Sequence, residues 1–439
     1  MRRRLLPFGL AALFFNPAFA QIVDTGRSDV YETSNDIRAP RASEPAAPLT
    51  LKAALELALG ANPDLSAAGH ELEAVKATII QAQVRPNPEI STLIEDTRRA
   101  TRETTLQFNQ PIELGGKRAA RIDVAERRRD AAAAELDVKR AEIRAAVMVA
   151  FFNVLAAQER WQLASVSVEL AQRATTAASR RVMAGKVSPV EETKARVAEA
   201  GGRVELAMAG SELASARKRL ASQWGNPGPR FERAEGSLDV LPPLLALDDL
   251  NSRLATAPSL LRARMEVDHR LALAEVERSQ RIPNLTVSLG AKRSEELGQN
   301  KAILGVSIPL PIFNRNQGNL LEALRRTDKA RDELSAAEVR LVNELAQAHE
   351  RLSTAHQEVA LLQRDILPGA QSAFDAATRG FELGKFSFLE VLDAQRTLFQ
   401  AKSQYLRTLS VAHQSAAEIE RILGDASPDS TLASASAKP

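Results

Sequence analysis

Two stretches of helical text, each too long for a globular domain, govern what this chain can become. From about Gly116 to Met183 there is no proline, alanine is abundant, and Leu, Val, Ile and Phe recur at helical spacing (AAAAELDVKRAEIRAAVMVAFFNVLAAQ). Asn316 to Leu383 has the same character, interrupted only by Pro368. At 1.5 Å per residue each run makes a rod of roughly 100 Å. Such rods must find partners along their length as coiled coils, and alanine at the contacts lets their axes approach closely.

The rods are written twice because the whole order of elements is written twice. A helix from about Thr50 to Val84 should bend at Asn62-Pro63 and stop at Arg85-Pro86-Asn87-Pro88, and Leu247 to Arg281 repeats it with a bend at Ala257-Pro258 and a stop at Ile282-Pro283-Asn284. After each stop the apolar period falls to two: Thr105-Leu106-Gln107-Phe108-Asn109 in one half, and Leu285 to Leu289 with Ala302, Leu304, Val306, Ile308 and Leu310 in the other. Each half thus predicts two strands of about nine residues around a polar turn, at 97–104 and 294–300, of which the strand at Glu89 to Glu95 has the least regular pattern. Each hairpin ends at proline and a rod follows.

At the far end of each rod the text matches again. Residues 177–195 and 376–394 agree at eight of nineteen positions, among them Arg180/Arg379, Gly185/Gly384, Lys186/Lys385, Ser188/Ser387 and Glu191/Glu390. Chance would give about one or two, so the chain carries an internal duplication. Locally the motif is a tight helix-to-helix turn: Gly ends one helix in a left-handed conformation, Ser caps the next, and Glu completes a capping box. The return helices, Pro189 to Trp224 and Phe388 to Leu423, are half as long as the rods, as are the helices before the strands, so two stacked end to end would match one rod. The expected organisation is a leader at 1–20, an extended arm at 21–48, a first repeat at 49–225, a mid-rod linker at 226–247, a second repeat at 248–424 and a disordered tail at 425–439.

The leader reading rests on Arg2 to Arg4, the apolar stretch Leu5 to Phe15 and the small-residue site Ala18-Phe19-Ala20. The chain contains no cysteine, so disulfides, thiolate metal sites and a lipid anchor after the leader are not expected. Aromatics are 4% and the 58 basic and 55 acidic residues are interspersed, a balance that excludes a basic, aromatic nucleic-acid surface. Four strands cannot close a membrane barrel, because the smallest have eight, and open edges do not stand in lipid. Strands like these span a membrane only if several chains share one barrel; three copies supply twelve.

The strand pairs after Pro-Asn, "QPIELGGKRAAR" (110–121), "IPLPIFNRNQGN" (308–319) and the doubled Arg-x4-Gly-Lys-x-Ser-x2-Glu loop resemble the TolC-type outer-membrane efflux proteins over about Leu49 to Gly424. Through "IPLPIFNRNQG" the chain is most similar to their CzcC-like branch, the outer-membrane partners of heavy-metal exporters. The resemblance implies a mainly α fold with a small β part: a homotrimer with a 12-stranded β-barrel in outer-membrane lipid, four strands per chain, above a long α-helical coiled-coil barrel in the periplasm. Its implied role is the passive exit duct for heavy-metal cations in a tripartite system with a periplasmic membrane-fusion adaptor and a proton-driven inner-membrane pump of the RND type. The repeated loops would be the tips where the adaptor docks, with Arg180, Gly185, Lys186, Ser188, Arg379, Gly384, Lys385 and Ser387 as docking residues. The same residues also make good helix-turn chemistry with no partner. Carried over from the family, Glu390 and Asp393 would line the closed pore as a cation-selective ring, six carboxylates in three copies, while the first half has Glu191 but Lys194 at the equivalent places. Where some members carry a gate-latching arginine this chain has Phe386.

Other readings have less behind them. Gly380-x3-Gly384-Lys385-Phe386 is one residue short of a P-loop and puts Phe where Ser or Thr must hold magnesium. His349 and His356 stand two helical turns apart among Lys, Arg and Glu with no third ligand, which reads as a pair of surface histidines and no metal site. No His-Glu-x-x-His, Gly-x-Ser-x-Gly or cysteine nucleophile is present, so neither an enzyme nor a cofactor is expected. The alternatives are the same duct carrying drugs or secreted proteins, or a periplasmic adaptor, which would have one helical hairpin and larger β domains.

Overall fold

The structure, a computed structural model, describes Glu44 and residues 48–424. The leader at 1–20 and the tail at 425–439 lie outside those residues, as does the arm at 21–48 apart from Glu44 and Pro48. The first half runs β1 (Leu49–Thr50), α1 (Leu51–Ala61), α2 (Pro63–Ala82), β2 (Glu89–Glu95), β3 (Glu103–Ile112), the rod α3 (Lys117–Met183) and its return α4 (Pro189–Ser222). After β4 (Ala234–Glu235) the second half runs α5 (Leu247–Arg253), a 3-10 turn, α6 (Pro258–Ser279), β5 (Leu285–Ser294), β6 (Gln299–Ser307) and a rod divided into α7 (Gln317–Leu361), a π turn at Leu362–Ile366 and α8 (Leu367–Glu382); α9 (Phe388–Leu423) returns.

The bend in the first short helix is made by Asn62. Its side chain caps α2 by accepting from Leu65 N at 3.0 Å and donates to Gln223 O at 2.7 Å, tying the start of α2 to the end of α4. Pro63 occupies the first helical position, where its missing N–H costs nothing. The half-length helices therefore stack end to end as their lengths require.

Four strands form one antiparallel sheet in the order β2-β3-β5-β6, with β2 and β6 as free edges. Register puts Ile90, Phe108, Leu289 and Leu304 in one row across it, with Val287 and Val306 paired on the same face. Apart from Leu93, Pro111 and Ile303, the opposite face is polar or glycine along its rows, and Asn109 joins Ser91 and Ser288 there through its side chain, at 3.1 and 2.7 Å. One apolar and one polar face is the pattern of a barrel wall between lipid and water.

The corner between sheet and rod explains "QPIELGGKRAAR". Gly115 sits at φ 73°, and a Cβ there would stand 2.8 Å from Ile282 Cβ, so only glycine allows the turn to close on the end of α6. Lys117 reaches Asn284 Oδ1 at 2.5 Å, Arg118 donates to Gln83 O at 2.8 Å, and Arg121 holds Glu113 in a bidentate pair. That guanidinium keeps the Glu113 carboxyl below its usual range. In the second corner Asn316, itself left-handed at φ 57°, donates to Glu277 O at 2.9 Å.

The apolar middle of α3 is core: Val147, Met148, Phe151, Val154 and Leu155 are buried against Leu49, Leu220, Trp224, Leu238 and Leu409. A second cluster, Leu250, Leu345, Leu352 and Ile422, serves the other half. Around this belt passes the linker, which does more than cross over. β4 pairs in parallel with β1, Gln158 brackets Ala234 by accepting from its N–H (2.7 Å) and donating to its carbonyl (3.1 Å), and three histidines hold the strap of chain beyond β4. His413 Nε2 meets Leu238 O at 3.0 Å, His356 Nε2 meets Pro242 O at 2.7 Å, and His349 Nε2 meets Leu245 O at 3.0 Å. Facing carbonyls, each Nε2 must carry its proton. The surface-histidine reading of His349 and His356 is thereby corrected: both are half-buried clasps on the strap. Glu44 is placed too, buried, its carboxylate accepting from Trp224 Nε1 at 2.7 Å and from Asn226 Nδ2 and Arg230 N.

Candidate functional site

At the end of α3 the helix closes through Gly185, left-handed at φ 67°, with Gly185 N bonded to Val182 O and Lys186 N to Arg181 O, both at 2.9 Å. The second tip repeats this: Gly384 is at φ 73°, Gly384 N bonds Phe381 O at 3.0 Å and Lys385 N bonds Gly380 O at 2.8 Å. These carbonyls would otherwise end the helix unpaired, so the shared Gly-Lys is the chemistry of helix termination. The caps differ. Ser387 and Glu390 form a full capping box, with Ser387 N donating to Glu390 Oε2 at 2.7 Å. Ser188 caps by accepting from Val190 N at 3.3 Å, so the box expected at both tips forms at the second and not with Glu191.

The two tips lie together. Ala178, Ala195, Ala377 and Val391 bury one cluster from four helices, and the Arg181 guanidinium stacks over the Phe381 ring at 4.6 Å. Its Nη2 stands 3.9 Å from where a Cβ of Gly384 would be. This contact was not foreseen; its one trace in the sequence is that Arg181 has Gly380 as its counterpart. Gly380 is needed where it is, because a Cβ there would be 2.1 Å from Phe386 Cδ2: the Phe386 ring packs against its own hairpin. Arg180, Lys186, Arg379 and Lys385 are all exposed, as are Ser188 and Ser387 and the turn glycines Gly185 and Gly384, so eight positions separated by 199 residues in pairs form one cationic end.

Glu390 and Asp393 occupy the first turns of α9, both exposed, three residues apart on one side. One Glu390 oxygen is engaged by the cap, and Asp393 is the freer of the two. Among the described residues no cluster of three or more His, Cys, Asp and Glu side chains is placed to hold a metal ion.

The polar face of the sheet carries a group that sequence reading passed over. Glu95 and Glu103 are direct partners across β2 and β3, and Lys292 Nζ lies between them, 2.9 Å from Glu95 Oε2 and 2.5 Å from Glu103 Oε2. The signal was available in the alternation, since all three fall on polar-face positions.

The outer membrane efflux protein model matches residues 54–226 and again 250–425. The chain is 53% identical, over 97% of its own length and the whole of the relative, to the cobalt-zinc-cadmium resistance protein CzcC of Cupriavidus metallidurans. It is 27% identical over 70% of its length, and 69% of the relative's, to the nickel-cobalt-cadmium resistance protein NccC of Alcaligenes xylosoxydans xylosoxydans. Among solved structures, that of CusC superposes with a TM-score of 0.71 at 21% identity over 85% of this chain and 91% of CusC. VceC of Vibrio cholerae gives 0.72 at 19% over 85% and 96%. With rods, corners and four-stranded sheet in place and the family model matched once in each half, this chain is a member of the outer membrane efflux protein family.

Proposed function

We propose that the protein is the outer-membrane channel of a tripartite, proton-driven efflux system, passing heavy-metal cations from the periplasm to the outside without chemistry of its own. The observation that carries this is the sheet: four strands with two free edges, an apolar face and a polar face, on top of rods far longer than the sheet is wide. Such a sheet is a third of a barrel. Three chains close twelve strands, leave no edge in lipid, and gather three sets of rods into one tube beneath.

In this reading the paired tips form a rim of six cationic hairpins for a periplasmic adaptor, with Arg180, Gly185, Lys186 and Ser188 and their partners Arg379, Gly384, Lys385 and Ser387 at the contact. An inner-membrane RND pump supplies the energy and selects the cargo. Glu390 and Asp393, in three copies, ring the closed end and favour cations. The domain division into two repeats about the linker at 226–247 follows the same plan.

Growth of a strain lacking only this gene, across graded zinc, cobalt, cadmium, nickel, copper and silver salts and a panel of dyes and detergents, tests the cargo. Sensitivity to a group of metals alone is expected. Sensitivity to dyes and detergents with metal tolerance unchanged would keep the duct and overturn the cargo.

A further inference from the structure

We propose that Lys292 sets the charge of the outer mouth of the barrel, occupying a carboxylate pair that would otherwise retain the cations leaving the duct. The inference rests on the channel reading. Glu95 and Glu103 stand directly opposite each other at the hairpin end of β2 and β3, the end away from the corners that lead to the rods. They lie on the face that also carries Ser91, Gln107, Asn109 and Ser288, while Ile90, Phe108, Leu289 and Leu304 form a row on the other. Only the apolar face can meet lipid, so the pair looks into the lumen.

Two carboxylates directly opposite on neighbouring strands repel each other. They also present oxygen ligands within reach of a single divalent ion, and three copies would place three such pairs around the exit. Lys292 removes both problems at once. Its ammonium bonds one oxygen of each carboxylate, and Lys301, its direct partner on β6, brings the local sum to two cations against two anions. With these four charges balanced, a metal ion passes the pair without lodging there; a duct whose cargo is cationic gains from this in a way that one carrying neutral molecules does not.

The test is equilibrium dialysis of the purified full-length trimer against cobalt ions, with the variants Lys292→Met, Lys292→Arg and the pair Lys292→Met with Glu103→Gln. The methionine variant should bind cobalt at about a tenth of the concentration that the wild type needs. The arginine variant should behave as wild type, and the added Glu103→Gln should return binding to the wild-type level. Lys292→Gln, which removes the charge but keeps a hydrogen-bond donor, serves the same test should the methionine trimer not assemble. Equal cobalt binding by wild type and the uncharged variants overturns the proposal, as does binding that persists after Glu103→Gln. Binding does not depend on conduction. Absence of wild-type current in planar bilayers would count against the channel reading and leave the dialysis result standing by itself.

Discussion

A Cβ placed on Gly424 would lie 2.3 Å from Cγ of Pro258, and one placed on Gly225 would lie 3.2 Å from Cγ of Pro63. Both glycines are left-handed, at φ 71° and 72°, and both prolines open a helix. The same joint is thus made twice: one helix ends on glycine and the next begins on proline against it, so that α4 continues into α2 and α9 into α6. Gly424→Ala meets both the left-handed backbone and the proline ring, and should cost about 1–3 kcal/mol. Gly225→Ala meets a looser contact and should cost less. Denaturant midpoints of the two variants check this; equal losses would mean that backbone conformation alone, and not the proline contact, sets the penalty.

These joints show where the sequence was legible and where it was not. The bends at Asn62-Pro63 and Ala257-Pro258, the strand period and the end of each rod are local, decided by residues within a few positions of one another, and each was readable. The pairing of Leu49 with Ala234 joins two-residue strands 185 positions apart, too short for any period to register. His349 and His356 read as surface residues because their partners are backbone carbonyls of the strap, which leave no trace in residue type. At the tips the turn chemistry was plain, yet Glu390's place in the cap at one tip and Glu191's absence from it at the other depend on rotamers.

The π turn at Leu362–Ile366 is a second such case: Pro368 was visible, but not the register slip that precedes it. Gln363, inside the turn, donates to the Tyr405 hydroxyl at 2.6 Å, and that hydroxyl donates to Asp239 Oδ1 on the strap at 3.0 Å. The irregular turn of the second rod is thereby tied to the belt, while α3 runs unbroken at the equivalent height. Tyr405→Phe should cost about 1 kcal/mol, the net worth of one or two such bonds. It should also speed amide exchange at 362–366 more than in the middle of α3. Uniform exchange changes along both rods would show that the relay does not restrain the turn.

Glu420, near the end of α9, is raised to about 7 by burial, against the opposing pull of Arg144 and Arg253. A carboxyl raised in the folded state favours folding when protonated, so its contribution is complete below its unfolded value of 4.5 and is lost as pH rises through about 7. Glu420→Gln should therefore stabilise the protein by roughly 1–3 kcal/mol above pH 7 and change little below pH 4.5. Melting temperatures of wild type and variant across pH 4 to 8 read this directly. A constant difference at all pH values would mean that the carboxyl binds its proton alike in the folded and unfolded states.

Glu390 has two roles to separate, since its carboxylate closes the capping box with Ser387 N and is also half of the acidic pair. Glu390→Ala removes cap and charge together, at about 1 kcal/mol for the cap, and any change in conduction could come from a frayed α9. Glu390→Gln removes the charge and keeps the box, because the amide oxygen accepts the same N–H. Asp393→Asn removes the other charge outside the cap. If the pair forms the cation-binding ring, both amide variants should weaken block of single-channel current by di- and trivalent cations, and the double variant should weaken it further, with the melting temperature near wild type. If block falls with Glu390→Ala but not with Glu390→Gln, the glutamate acts by holding the helix start, and the ring charge belongs to other residues.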